Sequence, residues 1–357
     1  MVSAWTKLQG KSTTYSVTLV KHIIGGDPVP ASAQVKWLDV DEDSAGQRLD
    51  NFLIRHLKGV PKTHVYRIIR SGEVRVNKGR AQADTRVAAG DKVRLPPVRI
   101  SERVAEKAEA VVPGREFPVL FEDEHLMAID KPAGVAVHGG SGVSFGVIEQ
   151  LRRARPAARF LELVHRLDRE TSGILLIAKK RSALTNLQDQ FRERETGKTY
   201  LALVAGDWPA NKKVIDVPLH KYLQADGERR VKVVAQGDPD GMRSITLVKV
   251  AQRIRLPLPR AGEGRGEGDS CAASLLEVTI KTGRTHQIRV HLSSQGFPIL
   301  GDDKYGDFEL NKALQKAGLK RMFLHAWKLT FTHPATGEPV SLSSPLPPGL
   351  AGFAGDH

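Results

Sequence analysis

Cysteine and long apolar runs are scarce in this sequence of 357 residues. Cys271 is its single cysteine, which excludes a disulfide within the chain and a cysteine-rich zinc site and suits a reducing compartment. The longest apolar run near the middle, GILLIA at 173–178, is too short to span a bilayer. The first residues lack the apolar segment of a signal peptide. These absences predict a cytoplasmic protein that does not bind a membrane.

Positive charge is plentiful. Lys and Arg outnumber Asp and Glu by 54 to 40, which gives a formal net charge of +14. Twelve of these cations, against four acidic residues, lie between Gly46 and Pro97. A concentrated positive charge favours a polyanionic partner, most often a nucleic acid. A generally basic surface without such a partner is the alternative.

The chain is long enough for about two domains. Residues 1–37 are polar and without periodicity, so we interpret them as a poorly ordered leader. Apolar residues at helical spacing then predict two short helices, in GQRLDNFLIRHL and in KTHVYRIIRSG. EVRVNKGR alternates like a strand and turns at Asn77-Lys78-Gly79, and DKVRLP at 91–96 predicts another strand.

This helix, helix, strand and turn pattern over 46–97 resembles the S4 (αL-type) RNA-binding domain. The resemblance implies that basic residues of the second helix and of the following turn bind RNA phosphates. The candidates are Arg67, Arg70, Arg75 and Lys78. The alternative is that these arginines only form the solvated faces of helices.

Residues 98–116 are charged and poor in large apolar residues, so we interpret them as a linker. Residues 117–350 alternate strand-like and short helical segments, which predicts an α+β domain with a mixed, largely antiparallel sheet. Within it, 255–273 is rich in Gly, Pro, Arg and Glu and separates two strand-like segments. We interpret it as a disordered insertion in a hairpin loop, although an RNA-binding arginine-glycine tract is an alternative.

The segment HRLDRETSG at 165–173 carries the strongest functional signal, because a polar cluster directly precedes the apolar strand GILLIA. It matches the HRLDxxTSG signature of the RluA-type pseudouridine synthases. Three further segments follow the order of that family: one with Lys131-Pro132 and Gly134, KTYLALVAG with Tyr200, and TGRTHQIRVHL with Arg289. The resemblance covers about residues 48–350.

Isomerising uridine to pseudouridine breaks a C1′–N1 bond and forms a C1′–C5 bond without redox change, so no cofactor and no metal are expected. The reaction needs a carboxylate nucleophile, and an aspartate is ordinarily ionised at pH 7. The resemblance implies that Asp168 is this nucleophile and that Arg289 pairs with it. Attack at C1′, attack at C6 and a glycal route all remain open.

The resemblance also implies contacts with the substrate. Tyr200 would stack on the uracil and could carry the C5 proton, Arg166 would fill the space left by the flipped uridine, and Ile288 would pack on the ring. We also expect Lys131 and Arg284 to bind RNA, and Arg284 competes with Arg289 for the pairing with Asp168.

Less specific interpretations compete with these. Asp168 could pair with Arg166 or Arg169, and Tyr200 could be an ordinary core residue. The histidines lack neighbouring carboxylates or cysteines at ligand spacing, so structural roles are favoured over a metal site. GKT at 197–199 lacks the upstream glycine of a P-loop. Asp168 and Glu170 are too close in sequence for a glycosidase pair.

We therefore predict a monomeric enzyme that isomerises uridines of 23S ribosomal RNA, free or in a large-subunit assembly intermediate. A tRNA pseudouridine synthase and a non-catalytic S4-type ribosome-assembly factor are the alternatives. An intact set of Asp168, Tyr200 and Arg289 argues against the non-catalytic factor.

Overall fold

A computed structural model describes residues 35–57, 60–98, 113–139, 145–224, 228–258 and 270–355. The chain divides into two compact units, 1–110 and 111–357. The division falls within the predicted linker, of which 99–112 lie outside the described residues. The first unit holds the pattern that resembles an S4 domain and is named the S4 unit, and the second holds the HRLDRETSG segment and is named the catalytic unit.

The S4 unit combines two helices with a small antiparallel sheet of strand order β1-β4-β2-β3. Its elements are β1 (Lys36–Asp39), a 3-10 turn (Glu42–Ser44), α1 (Leu49–His56), α2 (Lys62–Arg70), β2 (Arg75–Val76), β3 (Gly79–Arg80) and β4 (Lys92–Leu95). The apolar faces of α1 and α2 pack in one core against Val93 of β4 and against Val74, which directly precedes β2. Asn77 and Lys78 both have positive φ, 49° and 69°, as a two-residue turn between twisted strands requires. The predicted helices and hairpin turn are confirmed.

The predicted leader is too long. Residues 1–34 lie outside the described residues, but Lys36 and Trp37 belong to β1 and pair with Leu95 and Arg94 of β4. Val40 is buried in the core of the unit, which therefore begins before the predicted residue 46. A strand of four residues is too short to show periodicity in sequence.

The catalytic unit is an α+β domain with a mixed, largely antiparallel sheet, as predicted, and this sheet has ten strands in the described residues. Its strands are β5 (Val119–Glu122), β6 (Leu126–Lys131), β7 (Glu162–Leu163), β8 (Ser172–Ala178), β9 (Gly197–Ala205), β10 (Val214–Asp216), β13 (Ile245–Pro257), β14 (Ser270–Ile280), β15 (Leu324–Thr332) and β16 (Pro339–Ser343), and β11 (Leu219–Leu223) with β12 (Arg229–Val233) forms a separate hairpin. Its helices are α3 (Val147–Ala154), α4 (Arg181–Glu193), α5 (Gln287–Ser294), α6 (Phe308–Lys316) and α7 (Pro348–Ala351).

The sheet follows the order β10-β13-β14-β9-β15-β8-β6-β5, with β16 beside β15 and β7 beside β8. Its strands pair antiparallel except β15 with β8, which pair parallel. At this pairing Gly173 has φ +108°, and a Cβ there would lie 2.3 Å from the Ala326 carbonyl oxygen. Only glycine fits so close a backbone approach, which sets the start of β8 directly after the HRLDRET segment.

All residues of β8 are buried because helices cover both faces of the sheet there. Leu175 and Ile177 pack in one cluster with residues of α3, while Ile174 and Leu176 pack in another with residues of α4. The segment before β8 is consequently fixed by a strand that cannot shift without opening two cores.

The predicted insertion 255–273 is shorter in the structure. β13 and β14 form the expected antiparallel hairpin, and their pairing extends through Leu256 with Cys271 to Pro257 with Ser270. Leu256 and Ala273 are buried, so packing continues the strands into a segment whose composition suggests a loop. Residues 259–269 lie outside the described residues.

Candidate active site

Asp168 lies in the short loop between β7 and β8, at the edge of a cavity. Its side chain is 29% exposed, so the carboxylate is accessible from the cavity. The amide of Thr171 donates to the Asp168 carbonyl at 3.2 Å and turns the loop into the strand. The cavity is lined by Arg166, Leu167, Asp168, Thr171, Tyr200, Ile280, Gly283, Arg284, Gln287, Ile288 and Leu324.

Lys131 binds the loop of Asp168 from inside the protein. It ends β6, is fully buried, and its ammonium donates to the carbonyls of Pro132, Val135 and Arg169 at 2.8, 2.9 and 3.2 Å. Burial, with the charge of Arg321, lowers the pKa of Lys131 to about 7. The expectation that Lys131 contacts RNA is therefore wrong, because its three donors are already occupied inside the protein.

Among the described residues, Arg289 forms the ion pair with Asp168, with 3.8 Å between its Nη1 and Oδ2 of the aspartate. The predicted pairing is present in the geometry, and Arg284 does not replace it: Arg284 is exposed at the cavity and its Nε donates to the Arg243 carbonyl at 3.4 Å. Arg169 pairs with Glu170 at 3.4 Å. Arg289 lies on α5 and only 3% of its side chain is exposed.

Asp302 fixes the orientation of Arg289. It accepts from Nε at 2.7 Å and from Nη2 at 2.6 Å, a bidentate contact that leaves Nη1 directed to Asp168. Asp302 is itself buried, and it also accepts the amides of Lys304 at 2.8 Å and Tyr305 at 3.1 Å. Its neighbour Asp303 is 69% exposed and lies 3.3 Å from Nη2 of Arg289.

The charges of this pair stabilise each other. Burial alone would lower the pKa of Arg289, but the hydrogen bonds to Asp302 and the charges of the nearby aspartates outweigh it and raise that pKa. Burial would likewise raise the pKa of Asp302, and its bonds with Arg289 and two amides lower it below the ordinary value. The site therefore keeps a charged arginine beside Asp168 over the physiological pH range.

Tyr200 lies on β9 and lines the same cavity, where it packs against the apolar clusters on both sides. Burial, and next the charge of Asp168, raise its pKa, so the phenol stays protonated at neutral pH. Ile288 is buried at the start of α5 and Arg166 is exposed, and both line the cavity. The structure thus brings together every residue predicted for the uridine site, Lys131 excepted.

The candidate RNA-binding residues of the S4 unit lie at its surface. Arg67 and Arg70 are exposed on α2, Lys78 is exposed in the hairpin turn, and Arg75 is half-buried on β2. Arg67 also pairs with Glu73 at 3.1 Å. The region predicted to contact phosphates is accessible.

Sequence reasoning missed Asp302, the carboxylate that holds Arg289 in place. The segment GDDKYGD at 301–307 contains two adjacent acidic residues after the apolar pair Ile299 and Leu300. That pattern could have drawn attention to the doublet, but only the fold shows which aspartate is buried against Arg289.

No helix in the described ranges is long and apolar enough to cross a membrane. The same ranges contain no group of three or more His, Cys, Asp or Glu side chains placed to hold a metal ion.

Comparisons with known proteins agree with the site. A family model described as RNA pseudouridylate synthase matches residues 125–294, and an S4 domain model matches residues 47–93. The chain is 50% identical over 325 residues to ribosomal large subunit pseudouridine synthase C of Pasteurella multocida (strain Pm70), covering 90% of this chain and 93% of the relative. It is also 50% identical over 324 residues to the Escherichia coli (strain K12) protein of the same name, covering 88% and 94%.

Among solved structures, human RNA pseudouridylate synthase domain containing 1 is similar with a TM-score of 0.50 and 26% identity, over 66% of this chain and 87% of that protein. Sequence identity of one half along most of the chain, together with the family models, establishes the assignment. The chain belongs to the RNA pseudouridylate synthase family and is an enzyme that converts uridine in RNA to pseudouridine.

Proposed function

We propose that this enzyme isomerises specific uridines of 23S ribosomal RNA and that Asp168 is its nucleophile. The observation that supports this role is the placement of the Asp168 carboxylate at the cavity edge, 3.8 Å from Nη1 of a buried arginine. Relatives that are 50% identical to this chain are named for the large ribosomal subunit, which favours 23S RNA as the substrate.

In the proposed reaction, the target uridine swings out of its stack into the cavity, a step that costs a few kcal/mol. Arg166 is accessible at the cavity and fills the vacated position in the stack. Asp168 forms a transient bond with the nucleoside, the C1′–N1 bond breaks and the base rotates. A C1′–C5 bond then forms and the bond to Asp168 breaks, which regenerates the carboxylate. The proton lost from C5 is balanced by the proton gained at N1.

Arg289 and Tyr200 have different tasks in this proposal. Arg289 keeps Asp168 charged and oriented, and its own position depends on Asp302. Tyr200 packs its ring on the uracil with Ile288 on the cavity wall. Because burial and the charge of Asp168 raise its pKa, the phenol is neutral at pH 7, and a neutral phenol is a poor acceptor of the C5 proton.

The S4 unit supplies affinity through phosphate contacts, which do not read sequence. Arg67, Arg70, Arg75 and Lys78 are the residues proposed for these contacts. We infer that the enzyme works as a monomer in the cytoplasm, on free 23S RNA or on a large-subunit assembly intermediate.

The test is to map pseudouridine in ribosomal and transfer RNA from a deletion strain that carries wild type, Asp168→Asn or Asp189→Asn. Asp189 is a control because it lies on α4 and pairs only with Arg192 among its ion-pair contacts in the described residues. Wild type and Asp189→Asn should restore 23S pseudouridines, and Asp168→Asn should restore none. Full restoration by Asp168→Asn would refute the nucleophile, and modification confined to transfer RNA would refute the substrate.

A further inference from the structure

A second cleft lies beside the active site in the catalytic unit, with a volume of about 320 Å³, within the range of small-ligand sites. Its lining includes Asp303, Phe308, Lys312, Gln315, Lys320 and Arg321. Two of these residues also reach the catalytic machinery. Asp303 lies 3.3 Å from Nη2 of Arg289, and Arg321 donates to Ser172 Oγ at 2.9 Å and to the Glu170 carbonyl at 3.4 Å. The cleft is therefore next to the loop of Asp168.

The lining of this cleft is positively charged. Lys312, Lys320 and Arg321 oppose one carboxylate, Asp303. Lys312 and Lys320 are both exposed and have no ion-pair partner in the part of the chain that the structure describes. The guanidinium of Arg321 already donates to Ser172 Oγ, so the two lysines are the cations of this lining that are available to an anion.

An aromatic ring completes the cleft. Phe308 is 62% exposed, although a phenylalanine normally buries most of its surface. It begins α6, and its spacing of four to Lys312 and seven to Gln315 places all three on one helix face. Leu310 and Leu314 instead pack into the core, so α6 does not need Phe308 for its own packing.

We propose that this cleft binds one nucleotide of the substrate RNA next to the target uridine. An exposed ring beside cations is the arrangement that holds an unstacked base and its phosphate. The base stacks on Phe308, and the phosphate lies between Lys312 and Lys320. Flipping the uridine removes the stacking partner of its neighbouring bases, and Phe308 gives one of these bases a new stacking partner. The inference rests on the proposed action on RNA.

The experiment measures the Kd and kcat of the full-length enzyme with a 23S fragment around a mapped target. Phe308→Ala should raise Kd at least about 5-fold, as expected when one base loses its stacking partner, with kcat at saturation unchanged. Phe308→Trp should bind with wild-type affinity, because it keeps an aromatic ring for the base to stack on. Lys312→Ala should reduce the slope of log Kd against log salt by about 0.7, as for one single-strand phosphate contact.

Lys213→Ala and Val214→Ala are matched controls, because both residues are exposed and lie outside both clefts. The sharpest comparison uses fragments with an abasic nucleotide at each position flanking the target. At one flanking position, the abasic nucleotide should raise the Kd of wild type. It should leave the Kd of Phe308→Ala at the value measured with the intact fragment.

The nucleotide site would be overturned if Phe308→Ala bound the fragment with wild-type affinity. It would also be overturned if the losses in affinity from Phe308→Ala and from the abasic nucleotide were additive at every flanking position. If wild type modifies a fragment, and wild type and Phe308→Ala bind that fragment with equal Kd, this inference alone is refuted. Restoration of modification by Asp168→Asn would instead refute the proposed function.

Discussion

The S4 unit and the catalytic unit use charge in opposite ways. No Lys or Arg among the described residues of the S4 unit is buried, and Asp50, its buried acid, is held by Arg48 at 2.8 Å. The catalytic unit buries Lys131, Arg289 and Asp302 around the loop of Asp168. Exposed charges interact with RNA through a screening solvent, while buried charges fix geometry and resist change. We therefore expect mutations of exposed cations in the first unit to alter RNA binding, and mutations of these buried residues of the second unit to alter turnover.

The largest effect that would sharpen this contrast is expected for Asp302→Asn. Its amide cannot match the bidentate carboxylate contact, so Arg289 loses its fixed position beside Asp168. We expect kcat to fall about 100-fold, the scale of a misplacement near 1 Å. The Kd for RNA should change little.

Asp303→Asn is the control for this change, because it removes the adjacent carboxylate at an exposed position. Its effect on kcat should be below about 5-fold, since the bidentate contact with Arg289 remains. Thermal unfolding of both variants separates a loss of fold from a loss of turnover. Equal kcat values for two folded variants would contradict the role of Asp302.

An intermediate effect is expected at Tyr200. If the ring packs on the uracil, Tyr200→Phe should keep kcat within about 3-fold of wild type. Tyr200→Ala should lower kcat about 10- to 100-fold, because the uracil loses the ring that positions it. The pH profile of Tyr200→Phe should match wild type, since the raised pKa keeps the phenol protonated. A large loss in Tyr200→Phe would instead indicate that the hydroxyl transfers the C5 proton.

The smallest effect per residue is expected in the S4 unit. Replacing Arg70 or Lys78 by Ala removes one exposed cation and should reduce the slope of log Kd against log salt by about 0.7 to 0.9. kcat at saturating RNA should stay at the wild-type value. A fall in kcat with an unchanged salt slope would break the contrast between the two units.

Much of the fold was predictable because local patterns coincide with tertiary packing. The spacing of Leu49, Phe52 and Leu53 predicts α1, and the same residues are buried. β1 and the ends of β13 and β14 were not predictable, because pairing with partners distant in sequence extends them against weak local signals. Composition therefore placed the leader and the insertion too broadly.

The candidate site shows the same division. The HRLDRETSG segment and the order of the other motifs singled out Asp168, Tyr200 and Arg289, because residue identity limits which chemistry is possible. Lys131 was misjudged because sequence does not show whether a lysine points to solvent or to buried carbonyls. Asp302 was missed for the same reason.

The sequence by itself determined the family and the two-unit plan and singled out Asp168 as the candidate nucleophile, since these depend on motifs and on local spacing. The tertiary structure decided which carboxylate orients Arg289, which lysine supports the loop of Asp168, and that Phe308, Lys312 and Lys320 line one cleft beside the active site. Those relations join residues that are far apart in the chain, and only folding specifies their distances, their burial and their charge.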